Sequence, residues 1–408
     1  MSSTLFTGGR VLDAEAGVLR EGLDVLIQDG TIRAVGQNLS ADAERIDLKG
    51  KTLMPGLIDC HVHVVAETLN LWANIIAPTS LAALRSARVM EEALQRGFTT
   101  LRDLGGADIG LVQGVDEGLI DGPRLVICGK GLTTTGGHAD LRPRTDDRPT
   151  MMHERLGSMG YIVDGVDDCR KVAREMIKGG AKFIKIMANG GVSSPNDPIE
   201  SIQFSRDEIL AIVEEAENAG IYVSAHVYTD AAIRRCAELG VHSLEHCNLI
   251  TPETAKIAAD KGCIAVPTLV AYEALHLEGK RFGFGETEFA KIDTVRQGGL
   301  KSLEIMRDAG LPMAFGSDLL GELRSYHCME FELLAKVLTP AEIIRSATTI
   351  GAQLCQMEGK IGVIAEGAHA DLVVVDGNPL EDITRLMSDG AHLPLIMRGG
   401  QVFKNTLN

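Results

Sequence analysis

The sequence predicts an α/β fold in which eight parallel strands and their helices close into a (β/α)8, or TIM, barrel, with a small β domain built from both chain ends. Three observations carry that expectation. Across residues 57–356, short apolar strands alternate with helical stretches of ten or more residues, the signature of βα units on a parallel sheet. The units number eight and fill roughly 300 residues, which suits a closed barrel better than an open doubly wound sheet. An open sheet should also carry a phosphate-binding fingerprint. Gly50-Lys51-Thr52 imitates the end of a P-loop, but Arg45 stands where its first glycine should be.

The strand candidates, in order, are residues 56–65, 99–104, 125–129, 183–188, 222–227, 243–246, 264–269 and 313–316. Helices are expected over 167–178, 206–219 and 230–239, each stopping at or next to a glycine (Gly179, Gly220, Gly240) as helix C-caps often do. Residues 142–160 and 277–286 read as longer loops. Loops that follow barrel strands reach the catalytic face, so both are candidates for a lid. The ends differ from this middle. Asp24-Val25-Leu26-Ile27-Gln28 turns at Asp29-Gly30 into Thr31-Ile32, and Leu395-Ile396-Met397-Arg398 turns at Gly399-Gly400 into Gln401-Val402-Phe403. Both are hairpin signals, and they assign residues 1–56 and 357–408 to one small β domain.

Charge and composition narrow the function. The chain has 408 residues, with 40 Lys+Arg against 56 Asp+Glu and a net charge of −16. Nucleic acid and anionic membrane surfaces repel such a chain. No apolar run approaches the ~20 residues of a membrane span, and the N-terminus lacks the basic and apolar regions of a signal peptide. The eight cysteines form no Cys-x-x-Cys pair, so they read as reduced, buried thiols of a cytoplasmic protein.

The chemistry-bearing residues fall at strand ends. His61-Val62-His63 closes the first strand, and alternation puts both imidazoles on one face, where a divalent metal such as zinc could bind. Alone, the pair is a weak signal, and two hydrogen-bonded histidines near the surface are the plainer reading. His226 ends the fifth strand, His246 ends the sixth, and Asp318 follows the eighth. Lys185 lies inside the fourth, in Phe183-Ile184-Lys185-Ile186-Met187, where an unpaired ammonium is costly unless it snorkels outward. His138 follows the third strand in a glycine-containing loop, and Tyr228 stands two residues beyond His226 on the same side. Both are candidates to contact substrate.

These residues resemble the amidohydrolase superfamily along nearly the whole chain. Met54-Pro55-Gly56-Leu57-Ile58-Asp59-Cys60-His61-Val62-His63 is similar to its entry into the barrel. Gly367-Ala368-His369-Ala370-Asp371-Leu372-Val373-Val374-Val375-Asp376 is similar to its return into a small β-sandwich. The resemblance implies two divalent metal ions, with zinc foremost among the candidates. His61, His63 and Asp318 would hold the more buried ion, and His226 and His246 the second. Lys185, carboxylated by CO₂, would bridge them. It further implies that a shared hydroxide attacks the scissile carbonyl, with Asp318 as the catalytic proton carrier.

Within the superfamily, Lys185-Ile186-Met187-Ala188-Asn189-Gly190-Gly191-Val192, His226-Val227-Tyr228-Thr229-Asp230 and Ser243-Leu244-Glu245-His246 resemble a prolidase and carboxypeptidase branch. The implied substrate is a small dipeptide, L-Xaa-L-Pro, its free carboxylate met by His138 and Tyr228, and the implied assembly is a homo-oligomer. Release of C-terminal Arg or Lys is the alternative, with Glu273 the one acid near the predicted pocket to pair with a basic side chain. A cyclic-amide hydrolase of the imidazolonepropionase kind is further off, because such relatives lack the bridging lysine.

Overall fold

Parallel strands form two sheets in the computed structural model, which describes residues 3–150, 152–193 and 197–407. One sheet has three strands, ordered Arg124–Ile127, Phe98–Asp103, Leu57–Val62. The other has six, ordered Gly160–Ile162, Gly131–Thr133, Phe183–Met187, Tyr222–Thr229, Ser243–Leu249, Ile264–Val266. Every residue of Leu57–Val62, Phe98–Asp103 and Phe183–Met187 is buried. Such burial is expected of parallel sheets, which are covered on both faces, and it encloses the polar Asp59, His61, Arg102, Asp103 and Lys185 along with the apolar residues.

Seven predicted strands appear within a few residues of their expected limits. The eighth is reduced to a bridge between Met313 and Ala265. Its backbone still bonds in both directions: Ala314 N–H donates to the Ala265 carbonyl at 2.9 Å, and Cys60 N–H donates to the Phe315 carbonyl at 2.8 Å. No regular ladder forms because Pro312 has no N–H to give and Phe315 N–H turns away to the Ser346 carbonyl. The seventh strand stops at Val266, short of its expected end. Pro267 follows, and Thr268 takes a left-handed φ of 50° before helix Leu269–Glu278 begins. Two short strands, Gly131–Thr133 and Gly160–Ile162, have no clear sequence signal and bracket residues 134–159, whose described members form no helix or strand.

Helices Val166–Lys178, Arg206–Asn218 and Asp230–Glu238 lie where the periodicity put them. The second is fixed at its start by a reciprocal Ser205–Glu208 capping box. The expected loop 277–286 is instead largely helical: Leu269–Glu278 runs into a 3-10 turn at Gly279–Phe282, and the long helix Glu286–Asp308 follows.

The chain ends build two further sheets. Four strands, Thr31–Gly36, Asp24–Gln28, Ser3–Thr7 and Glu44–Asp47, make one. Six, from Gln401–Asn405 through Leu372–Val375 and Thr52–Pro55 to Val18–Glu21, make the other. Phe6, Val25 and Ile27 of the first share an apolar cluster with Val11, Leu53, Val374 and Met397 of the second. Thr52–Pro55 passes through Gly56 straight into Leu57–Val62, so the terminal sheet anchors the strand that carries His61. Among the described residues no helix is long and apolar enough to cross a membrane. All eight cysteines are buried and free.

Candidate active site

Leu57–Val62 delivers the first two histidines. Asp59, His61 and His63 alternate onto one side of it. His61 Nε2 and His63 Nε2 lie 3.3 and 3.4 Å from Asp318 Oδ1, and the ligand atoms of the three residues lie within 4.8 Å of one another. Donors about 2.1 Å from a tetrahedral ion stand about 3.4 Å apart, so this trio fits a divalent ion.

The outward ring nitrogens are already committed. His61 Nδ1 donates to Glu245 Oε2 at 2.8 Å, and His63 Nδ1 donates to the Gly105 carbonyl at 3.0 Å. Each bond places the ring proton on Nδ1 and leaves the Nε2 lone pair facing the cluster. His246 Nδ1 sits 2.7 Å from the Thr268 hydroxyl, so its Nε2 is likewise turned inward. His226 is the reverse case: its Nε2 faces the Gly190 carbonyl at 3.3 Å, and Nδ1 is the nitrogen left over. The rings of His61 and His246 are 5.0 Å apart and those of His226 and His246 4.7 Å.

Strict alternation would put Glu245 and His246 on opposite faces of their strand. His246 and Cys247 instead adopt φ of 77° and 58°, and pairing with the neighbouring strand slips from Val227–His246 to Thr229–Leu249. This irregularity turns both side chains toward the interior. Asp318 is also left-handed, at φ 50°, and its N–H donates to the His61 carbonyl at 2.8 Å. Strained backbone thus gathers at the site.

Lys185 sits in the fully buried strand Phe183–Met187, opposite Ser224, and lines the same cavity. It does not snorkel: it is 1% exposed. Burial draws its pKa below the ordinary lysine value, partly opposed by Glu245 and Asp318. Burial also holds His226 and His246 well below the usual imidazole range, so both are neutral donors at pH 7, as metal ligation requires. For Asp318, burial pulls upward but the nearby histidines win and keep the carboxylate ionised.

His138 stacks on His226 at 4.2 Å. The fit needs Gly191, since a Cβ there would fall 1.9 Å from His138 Nδ1. Tyr228 is buried, lines the cavity and shares a 3.1 Å hydroxyl contact with Tyr272. All eight residues predicted from sequence (His61, His63, His138, Lys185, His226, Tyr228, His246 and Asp318) line this one cavity. Its walls are otherwise apolar, with Leu71, Ile75, Leu141, Met159, Ala271 and Leu275 among them. Of the expected loop 142–160, Gly157, Met159 and Gly160 contribute to the lining, whereas none of 277–286 does. Glu273 is not in the cavity. It faces the other side of its helix and is bound by Arg296 at 2.7 and 3.1 Å.

Sequence reasoning missed the residues behind the ligands. Glu245 takes His61 on one oxygen, and on the other Arg102 at 3.2 Å with the hydroxyls of Ser224 and Ser243. Asp59 accepts the Ser317 hydroxyl at 2.6 Å and His327 Nε2 at 2.8 Å. His327 is therefore buried and bonded beneath His61. Asp103 accepts the N–H groups of Val64, Gly105 and Ala107, which shapes the turn whose carbonyl holds His63. Adjacency was the available signal: Glu245 precedes His246, and Asp59 alternates with His61.

The amidohydrolase family pattern matches residues 52–402, and the chain belongs to that family; it is a hydrolytic enzyme. Ochratoxinase of Aspergillus niger is 31% identical over 419 residues, spanning 98% of this chain and 86% of that protein. The crystal structure of a prolidase complexed with N-methylphosphonate-L-proline is 48% identical, with a TM-score of 0.97 and coverage of 99% of this chain and 100% of that one. A Xaa-Pro dipeptidase with methionine bound in its active site is 28% identical, with a TM-score of 0.89 over 99% and 100% of the two chains.

Proposed function

We propose that this enzyme hydrolyses L-Xaa-L-Pro dipeptides and releases proline, at a site built on a closed (β/α)8 barrel of residues 57–356, with residues 1–56 and 357–408 as a β-sandwich beside it. The backbone bonds of residues 312–316 to both parallel sheets support closure, and the apolar cluster shared by the terminal sheets supports the sandwich.

His61, His63 and Asp318 would hold one divalent ion, and His226 and His246 would hold a second. Lys185, as a carbamate formed when its neutral amine bonds to CO₂ and sheds a proton, would offer an oxygen ligand to the ions. Its lowered pKa and burial favour that amine, and the product replaces a buried cation with an oxygen ligand. When bound, the ions supply hydroxide at neutral pH and polarise the scissile carbonyl. Asp318, ionised and at the centre of the cluster, accepts the proton from the attacking oxygen and delivers it to the leaving nitrogen of proline. Tyr272 donates to Tyr228, freeing the Tyr228 hydroxyl to donate to the substrate's carboxylate, with neutral His138 as a second donor.

One observation carries the choice of proline over arginine or lysine. Apart from Asp318, no carboxylate among the described residues lines the cavity, and Glu273 is spent on Arg296. A basic side chain would enter unpaired, which is expensive, whereas Ala271, Tyr272 and Leu275 suit a pyrrolidine ring. The 48% identical prolidase supports the same reading. The test is kcat/KM for Ala-Pro and Met-Pro against Ala-Arg and Ala-Lys on metal-loaded enzyme. The proline dipeptides should turn over faster; faster cleavage of the basic ones would overturn the assignment.

A further inference from the structure

Lys130 lies outside the proposed ligand cluster and substrate contacts, yet its ammonium is heavily bonded beside the cavity. It sits between Arg124–Ile127 and Gly131–Thr133, and its Nζ reaches four backbone carbonyls: Gly106 at 3.2 Å, Arg155 at 3.0 Å, Leu156 at 3.3 Å and Ser158 at 2.5 Å. Three of the four belong to the end of the irregular stretch 134–159. Flanking bonds run between the same pieces of chain: Gly106 N–H donates to the Gly129 carbonyl at 2.7 Å, and Gly131 N–H donates to the Met159 carbonyl at 2.8 Å. Burial draws the Lys130 pKa down to about 8, against the opposing pull of Asp103, Asp108, Cys128 and Glu154, so the ammonium form prevails at neutral pH.

What the ammonium grips is a wall of the substrate cavity. Gly157 and Met159 line the cavity, as do Leu71 and Ile75 of helix Leu71–Ile76. The gripped segment is pressed onto that helix. A Cβ at Gly157 would fall 1.9 Å from the Asn74 carbonyl, and Arg155 donates to the Ile76 carbonyl at 3.1 Å. Four carbonyls converging on one point repel one another unless a cation lies between them, so the ammonium fixes where the segment stops. This wall springs from one edge of the six-stranded sheet. Helix Leu269–Glu278, with the apolar surface assigned to the pyrrolidine ring, springs from the other.

We propose that Lys130 is a positioning residue for substrate specificity: by holding the Arg155–Ser158 carbonyls it fixes the apolar wall of Leu71, Ile75, Gly157 and Met159 that receives the N-terminal side chain of the dipeptide. The inference rests on the dipeptide reading above. It predicts that loss of the ammonium weakens binding in proportion to the size of that side chain and leaves the ligand cluster intact.

The experiment compares Gly-Pro and Leu-Pro on wild type, Lys130→Ala and Arg155→Ala. In Lys130→Ala, KM for Leu-Pro should rise about tenfold or more, the scale of one charge-assisted hydrogen bond. KM for Gly-Pro, kcat and bound metal should stay within about twofold. Propylammonium chloride, the fragment removed, should restore the Leu-Pro KM, and sodium chloride at equal ionic strength should not. Arg155→Ala, an alteration at the surface end of the same fastening, should shift KM in the same direction by less and guards against misfolding of the first variant. Equal rises for both dipeptides, an unmoved KM in both variants, or no response to propylammonium would overturn the proposal. Amide exchange of residues 155–159 separates the two readings. A wild type inactive on every Xaa-Pro dipeptide overturns the function, while exchange unchanged in Lys130→Ala overturns the clasp whatever the substrate.

Discussion

The ligand cluster and the substrate wall face the same cavity but are fixed by different means. His61, His226 and His246 project from strands paired on both sides or bonded across to the next segment, and each has its spare ring nitrogen tied to a carboxylate, carbonyl or hydroxyl. The wall comes from irregular residues 134–159 and from helix Leu269–Glu278, and it depends on a few long-reaching side chains. Lys130 gathers one side. Glu330 holds the other, its two oxygens accepting the Leu269 and Val270 N–H groups at 3.1 and 2.6 Å where that helix begins. The proposed reaction chemistry is thus placed on elements that cannot shift without breaking a sheet, and the proposed selectivity on segments that one substitution can release.

The contrast is open to direct attack. The largest effect is expected at Lys185→Ala, which should lose most activity, on the order of a hundredfold or more, together with much of its metal. Small carboxylic acids added to this variant should partly restore both. A fully metallated, active alanine variant would remove the carbamate from the scheme. Glu245→Gln should come next. It unties His61 and leaves Arg102 buried without its counter-charge, so metal affinity should fall about 10–100-fold and stability by about 3–5 kcal/mol, read by metal titration and denaturant unfolding.

A smaller effect tests the wall. Burial pushes the Glu330 carboxyl up to about 8 despite the two N–H groups it accepts. Between pH 4.5 and 8 the folded chain therefore keeps a proton that the unfolded chain has shed. The resulting stability is complete below about pH 4.5 and drains away as pH rises toward 8, with a slope of at most about 1.4 kcal/mol per pH unit. Glu330→Gln should flatten that part of the stability–pH curve; an unchanged slope would assign it to other groups. Smallest is Glu273→Gln. Its ion pair with Arg296 is partly exposed and outside the cavity, so kcat/KM should stay within about twofold and stability within about 1 kcal/mol. A marked gain or loss on basic dipeptides would reopen the arginine and lysine reading.

The same division separates what the sequence made legible from what it concealed. His61 and His63 could be read from a two-residue spacing on an apolar strand, and Lys185 from its improbable setting, because each signal is local. Arg102 and Glu245 stand 143 residues apart, and nothing local in the sequence pairs them. Their pairing exists only once two sheets face each other. His327 stands in a polar, glycine-containing stretch that looks like surface, whereas the fold carries it under His61. Glu273 shows another limit: proximity in sequence to the predicted pocket does not reveal that the segment is a helix whose other face lines the cavity. The eighth strand dissolved for a plain reason, a proline at its entrance and a carbonyl at residue 346 competing for its N–H.

His246, Thr268 and Asp318 all sit at positive φ, where glycine or asparagine would rest more easily and a β-branched threonine is least at home. Random substitution followed by selection for heat resistance alone should therefore drift toward glycine and asparagine at these three positions, since each exchange relieves backbone strain worth about 1–3 kcal/mol. Every such step would discard a ligand or the hydroxyl that steers one. The most durable version of this chain and the working version are consequently different sequences, and a thermostability campaign on it has to hold these positions fixed while the rest of the molecule is improved.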